Sequence, residues 1–517
     1  MSDSPAAVAS LGAAYTLTTL GLGWVVLFPL RQRLGIVGYH LASYPTGLLA
    51  WPVVACVSSL VGQPFGVETV FFGVLPYLFF GLLFARSLAP VSKSGGESVW
   101  PRESRAVASY VIWGVGICGI AAVVQGTGAT AVGYDSVFHY AAWGSWLDLT
   151  GKIGAEIAGA YGALIPSAIA ASRVFGVGWL ASPWPILALH VVAIVGVGVR
   201  EATRGLARVW RIAIPAITVA LMVASAPFLA HSIYLHSHMI SAAYLALALM
   251  ALRHAFVPIQ PPFAEDAVFA WCFVAGVATA GLALARPDGL AYALVPLAVA
   301  VVARLHGPRP ARTLTAFLVP LLAFLGLFYG TAFLETRGWG GDKLTAKTAA
   351  AVIVALAIVG IAGAFLDRIP HAGPWLASRR HALLAATVLN AVALIGLFLV
   401  RTEELRATTT IMFGNLTEHG GYGSLWVVAA AMIVLSVAWA RVWRPDTWSL
   451  LLLFAIGQFF AVAVVVHGLG HPGRLSPADS FARVAFHVVP LVFWYGGSIA
   501  AGLTRAWHES RDAEEGR

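Results

Sequence analysis

The chain has 517 residues, 59% of them hydrophobic and only 11% charged, with a mean hydropathy of +0.82. Soluble domains run at about 45–50% apolar and about 25% charged, so lipid must be the main solvent here, which excludes a cytosolic enzyme, a secreted disulfide scaffold and a disordered regulator. The net charge of +9, from 32 Lys and Arg against 23 Asp and Glu, then reports membrane orientation, and no nucleic-acid partner is expected.

The first apolar run is preceded by Asp3 and followed by Arg31 and Arg33, the reverse of a cleaved signal, so it is expected to be a retained span with its N-terminus outside. Runs long enough to cross about 30 Å of hydrocarbon then recur. They lie at 8–30, 41–62, 67–86, 105–124, 183–199, 210–229, 237–252, 267–285, 289–303, 312–334, 346–366, 381–400, 424–440, 447–467 and 484–503. The runs are continuous and do not alternate, which predicts an all-α, polytopic transmembrane helix bundle of about fifteen spans and no barrel. Residues 1–104 read as extra N-terminal transmembrane helices. A core covers 105–503, with a long outer loop at 125–182 that carries interfacial helices, and 504–517 form a cytoplasmic tail. With the N-terminus outside, 22 of the 32 basic residues fall inside, as the positive-inside rule requires, and the C-terminus is inside. Residues 153–175 are moderately apolar, yet a span there would invert every later loop, so an interfacial or re-entrant piece is expected instead.

The unusual polar residues collect on the outer side: the long loop, His231, His236 and His238 in HSIYLHSH, and Arg286-Pro287-Asp288. To these the late loops 401–423 and 467–483 add Glu403, Glu404, His467, His471, Arg474, Asp479 and Arg483. In GYDSVFHYAAWGSWLDLTGKIG (133–154) nothing breaks a helix from Asp135 to Leu149, and Gly151 ends it. Asp135 and His139 share one face of that helix, while Asp148 points elsewhere. Asp135 is open to two readings, a helix N-cap or a catalytic carboxylate. The outer arginines read either as phosphate ligands or as headgroup contacts and local ion pairs, Arg286 with Asp288 among them. His236-x-His238 permits a divalent metal only if a carboxylate joins it, so no cofactor is expected. Trp143, Trp146, Trp179 and Trp184 read as interfacial anchors or as sugar-stacking surfaces. Cys56, Cys118 and Cys272 lie in apolar runs without a CxxC, which supports neither a disulfide framework nor a zinc site. Asn415, Leu416 and Thr417 make a formal glycosylation sequon, a match frequent by chance.

Asp135, Phe138-His139-Tyr140, Trp146-Leu147 and Gly151 together resemble the first outer loop of the GT-C superfamily of glycosyltransferases. The turn in LARPDGLAYALVPLA (284–298) is similar to an Arg-Pro-x-Gly-Leu turn of the same superfamily, and a weaker likeness runs from Ala226 to Leu252. Many members carry a second acid beside the first, where Ser136 stands here. The resemblance implies transfer of a sugar from a polyprenyl-phosphate donor to an acceptor hydroxyl of a glycan, lipid or protein, with inversion, at the outer face of the cell membrane. It also implies Asp135 as general base. His139, Tyr140, Trp146, His236, His238, Arg286, Asp288, Arg474 and Arg483 are the expected substrate-binding residues, with membrane lipids as further partners. Two rival expectations are a transporter or flippase of a lipid-linked glycan, and an outer-face ligase or polymerase built on the late loops.

Overall fold

A backbone surrounded by hydrocarbon must close its own hydrogen bonds, and continuous apolar runs therefore fold as helices. The computed structural model describes residues 4–87, 103–131, 136–256, 265–304, 310–339, 344–369, 375–376, 378–419, 421–470 and 483–515. Among these residues there is no strand, only the single bridge between Ala131 and Tyr234. Eleven helices among them are long and apolar enough to cross a membrane, and the chain is a multi-pass helical membrane protein.

Each of the fifteen expected runs is helical, and the difference in count has four local causes. Runs 8–30 and 41–62 join into one broken helical stretch, Pro5–Val61, bent where Gly35 leaves helical geometry at φ 65°. Run 210–229 is split by a 68° bend between Arg208–Ala224 and Ala226–Ile233, where Ser225 is extended ahead of Pro227. Runs 289–303 and 424–440 form helices too short to count. Residues 153–175 contain no long helix either. Gly162 (φ 74°) separates a π-helical turn, Ile157–Tyr161, from the eleven-residue helix Leu164–Val174. At 1.5 Å per residue that helix is about 16 Å long, roughly half the hydrocarbon thickness.

The chain divides into two compact units. Unit 1 comprises Met1–Ala188 and His231–Arg368. Its centre is the pair Ser237–Phe256 and Ala267–Ala285, buried on nearly every side, with Pro310–Thr336 packed against the second member. The Tyr244 hydroxyl donates to the Pro45 carbonyl at 2.7 Å and ties the centre to the first helices. Those helices cross closely because Gly23 and Gly47 lack side chains: a Cβ on either would lie 1.7 Å from a backbone oxygen of the other helix. Small residues at a crossing are how membrane helices gain dispersion contact where no hydrophobic force joins them. Pro5–Leu27 also packs along Glu103–Thr127, so the described N-terminal helices are built into unit 1. The outer helices Val67–Ser87 and Arg105–Thr127 leave Phe71, Phe79, Val111 and Ile112 exposed, as a lipid-facing surface should.

Unit 2 comprises Leu189–Ala230 and Ile369–Arg517. Here Thr447–Gly470 and Val489–Glu515 pack together, and Arg208–Ala224 lies along the second of them. The helix Arg379–Val400 buries almost nothing in its apolar window. An Asn390 amide hydrogen bond to the Gln458 side chain fastens it to the rest of the unit.

Candidate functional site

Non-local contacts gather several turns at one end of unit 1. The Phe65 amide donates to the Asp148 carbonyl at 3.0 Å, and Ile153 donates to the Ser59 hydroxyl at 3.2 Å. Gly151, left-handed at φ 67°, sits directly on the Gln63 carbonyl, where a Cβ would be 1.7 Å away. Ala131 exchanges hydrogen bonds with Ile233 and Leu235 at 2.9 and 3.1 Å. Gln125 bridges to Trp179 and to the Ala181 amide, and the Trp184 indole donates to the His236 carbonyl at 2.6 Å. Finally, Gly162 meets the turn at 284–286, where a Cβ would stand 2.7 Å from the Leu284 oxygen and 2.8 Å from the Arg286 nitrogen. Both neighbours are backbone atoms, so only glycine fits at this φ.

This end holds a buried polar cluster. Arg286 grips Asp288 with two bonds, Nε to Oδ1 at 2.7 Å and Nη2 to Oδ2 at 3.2 Å, and both side chains are only 12% exposed. Burial works against the Arg286 charge, but the Asp288 carboxylate more than restores it, so the guanidinium titrates above its usual range. Its Nη1 donates to the Ser237 hydroxyl at 3.2 Å and lies 3.2–3.3 Å from the two ring nitrogens of His238. Ser237 is the hub: its oxygen also accepts the Tyr140 hydroxyl at 3.1 Å and lies 3.3 Å from His236 Nδ1. One hydroxyl has one donor and two lone pairs, and these three contacts engage all of them.

Around the hub the rings stack. His236 and His238 lie face to face at 4.2 Å, His231 meets His238 at 5.3 Å, and Tyr140 meets His236 edge-on at 5.3 Å. His139 stacks on Tyr161 at 4.4 Å, and Tyr161 in turn touches Tyr140. Parallel stacked imidazoles point their nitrogens past one another and do not converge on a common centre. Among the described residues no group of three His, Cys, Asp or Glu is placed to hold a metal ion.

Of the expected site residues, the structure unites Tyr140, His236, His238, Arg286 and Asp288, with His139 joined through Tyr161. Trp146 stands apart, 46% exposed, with its ring edge-on to Trp143. Arg483 belongs to unit 2, at the start of the last helical region. Asp135, Arg474, His471 and Asp479 lie outside the described residues. The described residues on either side of Asp135 both reach the cluster: Ala131 through its bridge to Tyr234, and His139 and Tyr140 through the rings. Ser237, Tyr161 and Gly162 were not expected. A serine between two histidines at a helix start reads as a cap, and nothing local in the sequence marks residues 161–162 as neighbours of Arg286.

Asp148 is another acid of the long loop, with Asp135 and Glu156. Partial burial pulls its carboxyl above the ordinary range, against the opposing pull of Arg173 at 3.6 Å. The pair bridges Ala142–Thr150 and Leu164–Val174 with both side chains partly exposed, too weakly to offset the burial of the carboxyl. No protein-family model matches the chain, and comparison with curated proteins and with solved structures likewise gives no match.

Proposed function

We propose that the chain is a GT-C-like membrane glycosyltransferase that takes a sugar from a polyprenyl-phosphate donor and attaches it to an acceptor hydroxyl at the extracytoplasmic face of the cell membrane. The observation that carries this reading is the buried Arg286–Asp288–Ser237–Tyr140–histidine cluster, at the end of unit 1 where the expected outer turns meet. Turns 63–66, 125–131, 136–182, 231–236 and 286–288 share that end, which supports the alternation behind the outside assignment.

The chemistry asks for a cation where a phosphate departs and for a base where a proton is released. A guanidinium locked by a carboxylate is oriented before any ligand arrives, and such preorganised donors act most strongly where water is scarce. In the proposed step the acceptor oxygen bonds to the anomeric carbon while the bond from that carbon to the phosphate oxygen breaks. The bonding pair leaves with the polyprenyl phosphate, Arg286 steadies its charge, and the hydroxyl proton passes to Asp135. His139, Tyr140, His236 and His238 then hold sugar and acceptor through ring faces and polar edges.

The test compares Asp135→Asn with Asp135→Ala in a transfer or donor-hydrolysis assay. Asn still caps a helix but accepts no proton, so it should abolish turnover while melting temperature and donor binding hold. Wild-type turnover in the Asn variant would show that Asp135 is only a cap.

A further inference from the structure

Unit 2 carries a groove of about 380 Å³ with an almost wholly apolar lining. Met432, Leu435 and Trp439 form one wall, and Ile499 and Leu503 on the last helix form the other. Gly496 packs on Met432 and Gly502 on Trp443, so the two walls run alongside each other with Trp443 and Leu503 at the same end. Ser436 is the one polar residue in the lining, and its hydroxyl is engaged with the Tyr495 hydroxyl and the Ile433 carbonyl. Nothing in the groove would orient a polar ligand, and a helix about 10 Å across is too thick for this volume. A single hydrocarbon chain fits both constraints.

The Trp443 end is basic. Arg441 and Arg444 flank Trp443, and Arg505 follows Leu503 by two residues, all of them exposed. Arg505 donates to the Ala202 carbonyl at 3.0 Å, which brings the segment with Arg200, Arg204, Arg208 and Arg211 to this end. The acids there are Glu509, paired with Arg444 at 3.3 Å, Glu201, 3.9 Å from Arg204, and Asp446, whose carboxylate caps the Ser449 amide; farther along the last helix come Asp512, Glu514 and Glu515, the last paired with Arg511. Arginines therefore outnumber acids at the mouth of an apolar channel in a membrane protein.

We infer that this groove holds one acyl chain of an anionic phospholipid, with the lipid phosphate among Arg441, Arg444 and Arg505. The inference rests on unit 2 alone and is independent of the proposed transferase activity. Each basic group near a bilayer surface favours an anionic lipid by about fivefold, so removing two should erase a measurable preference.

The full chain is reconstituted in bilayer discs with phosphatidylglycerol or phosphatidylcholine bearing the same photoreactive acyl chain, and cross-linked peptides are mapped. Phosphatidylglycerol should label 428–443 and 499–503 several-fold above phosphatidylcholine, while 381–400, exposed to bulk lipid, takes both equally. The double variant Arg441→Gln/Arg505→Gln should lose the preference yet keep labelling by both lipids. Ala431→Trp, which fills the groove, should lose labelling by both without touching the arginines. Millimolar glycerol phosphate should leave the pattern unchanged, because a free headgroup lacks the chain. Equal labelling by the two lipids in the wild type would overturn the proposal. So would a preference that survives in the double variant, or one that free glycerol phosphate abolishes.

Discussion

The two units meet the same solvent with different distributions of polarity. Unit 1 seals its central pair of helices on nearly every side and gathers a buried ion pair, rings and hydroxyls at one end, tied to one another. Unit 2 leaves a whole helix, Arg379–Val400, open to lipid and secures it by an amide–amide hydrogen bond. A network whose members are all satisfied defines one arrangement, because any change strands a buried polar group. A lipid-facing helix held by little polar contact has much less to lose. The comparison implies that substitutions at the polar end of unit 1 cost more than substitutions of similar size in unit 2.

The largest effect should come from Asp288→Ala. It leaves the Arg286 guanidinium buried without its carboxylate, and breaking such a pair costs about 3–5 kcal/mol. Thermal unfolding followed by tryptophan fluorescence in detergent would measure it. A double replacement, Arg286→Met with Asp288→Leu, should recover most of that stability, because an apolar pair of similar volume strands no charge. Phosphate-lipid binding should not return with it. A mild loss in Asp288→Ala would mean that the pair is solvated and that the contrast between the units is overstated.

A second pair of substitutions sets one glycine against another. Gly421 in unit 2 is left-handed at φ 71° with open space around it, so Gly421→Ala should cost only the strain of that conformation, about 1–2 kcal/mol. Gly162→Ala carries the same strain and must also displace the backbone at 284–286, which adds about 1–3 kcal/mol. Because the displaced turn carries Arg286, Gly162→Ala should weaken donor binding in addition to lowering the melting point. Equal costs at the two glycines would remove Gly162 from the account of the site.

Smaller again is Asn390→Ala, which removes the hydrogen bond between Arg379–Val400 and Thr447–Gly470. Interhelical hydrogen bonds in membranes average about 0.6 kcal/mol and reach about 1.7, so the unit should stay folded with a slightly lower melting point. Protease accessibility of the 401–423 segment should rise, since the first helix then has less to hold it. Complete unfolding by this one change would contradict the reading of unit 2 as loosely fastened.

Much of the helical architecture was legible because lipid permits so few solutions: every apolar run is a helix, and the arginines sit at the ends. The count was harder to read. Hydropathy does not show that Gly35 bends a continuous helix or that Pro227 follows a sharp break, because both are backbone events inside apolar sequence. In the site, the turn Arg286-Pro287-Asp288 and the histidines of HSIYLHSH stood out as polar islands between spans, and the structure brings them together. The link from Tyr140 to Ser237, the bridge from Ala131 to Tyr234 and the seat of Gly162 join residues far apart in the chain, and no local pattern encodes them. Trp146 lies exposed beside Trp143, a position that suits an interfacial anchor and a sugar-stacking surface equally well.

The smallest expected effect separates two arginine-paired acids among the described residues of unit 1. Asp148 lies 3.6 Å from Arg173 with both side chains partly exposed, whereas Asp288 is gripped at 2.7 Å in a buried site. Partial burial outweighs the arginine and raises the Asp148 carboxyl above its ordinary value of 3.8 in the folded state. A raised folded value means that the folded chain holds the proton more tightly than the unfolded chain does. The resulting stability is fully present below pH 3.8 and is lost as the pH rises through the folded value. Above that window the ionised carboxylate carries a small net penalty, so Asp148→Asn should be neutral or slightly stabilising at pH 7. Exposed ion pairs set the scale, about 0.2–1 kcal/mol. The same variant should flatten the dependence of melting temperature on pH just above 3.8, and transfer activity should be retained. If Asp148→Asn instead costs as much as Asp288→Ala, or loses activity with its fold intact, then Asp148 belongs to the site. The division between Asp148 and the acids of the site would then fall.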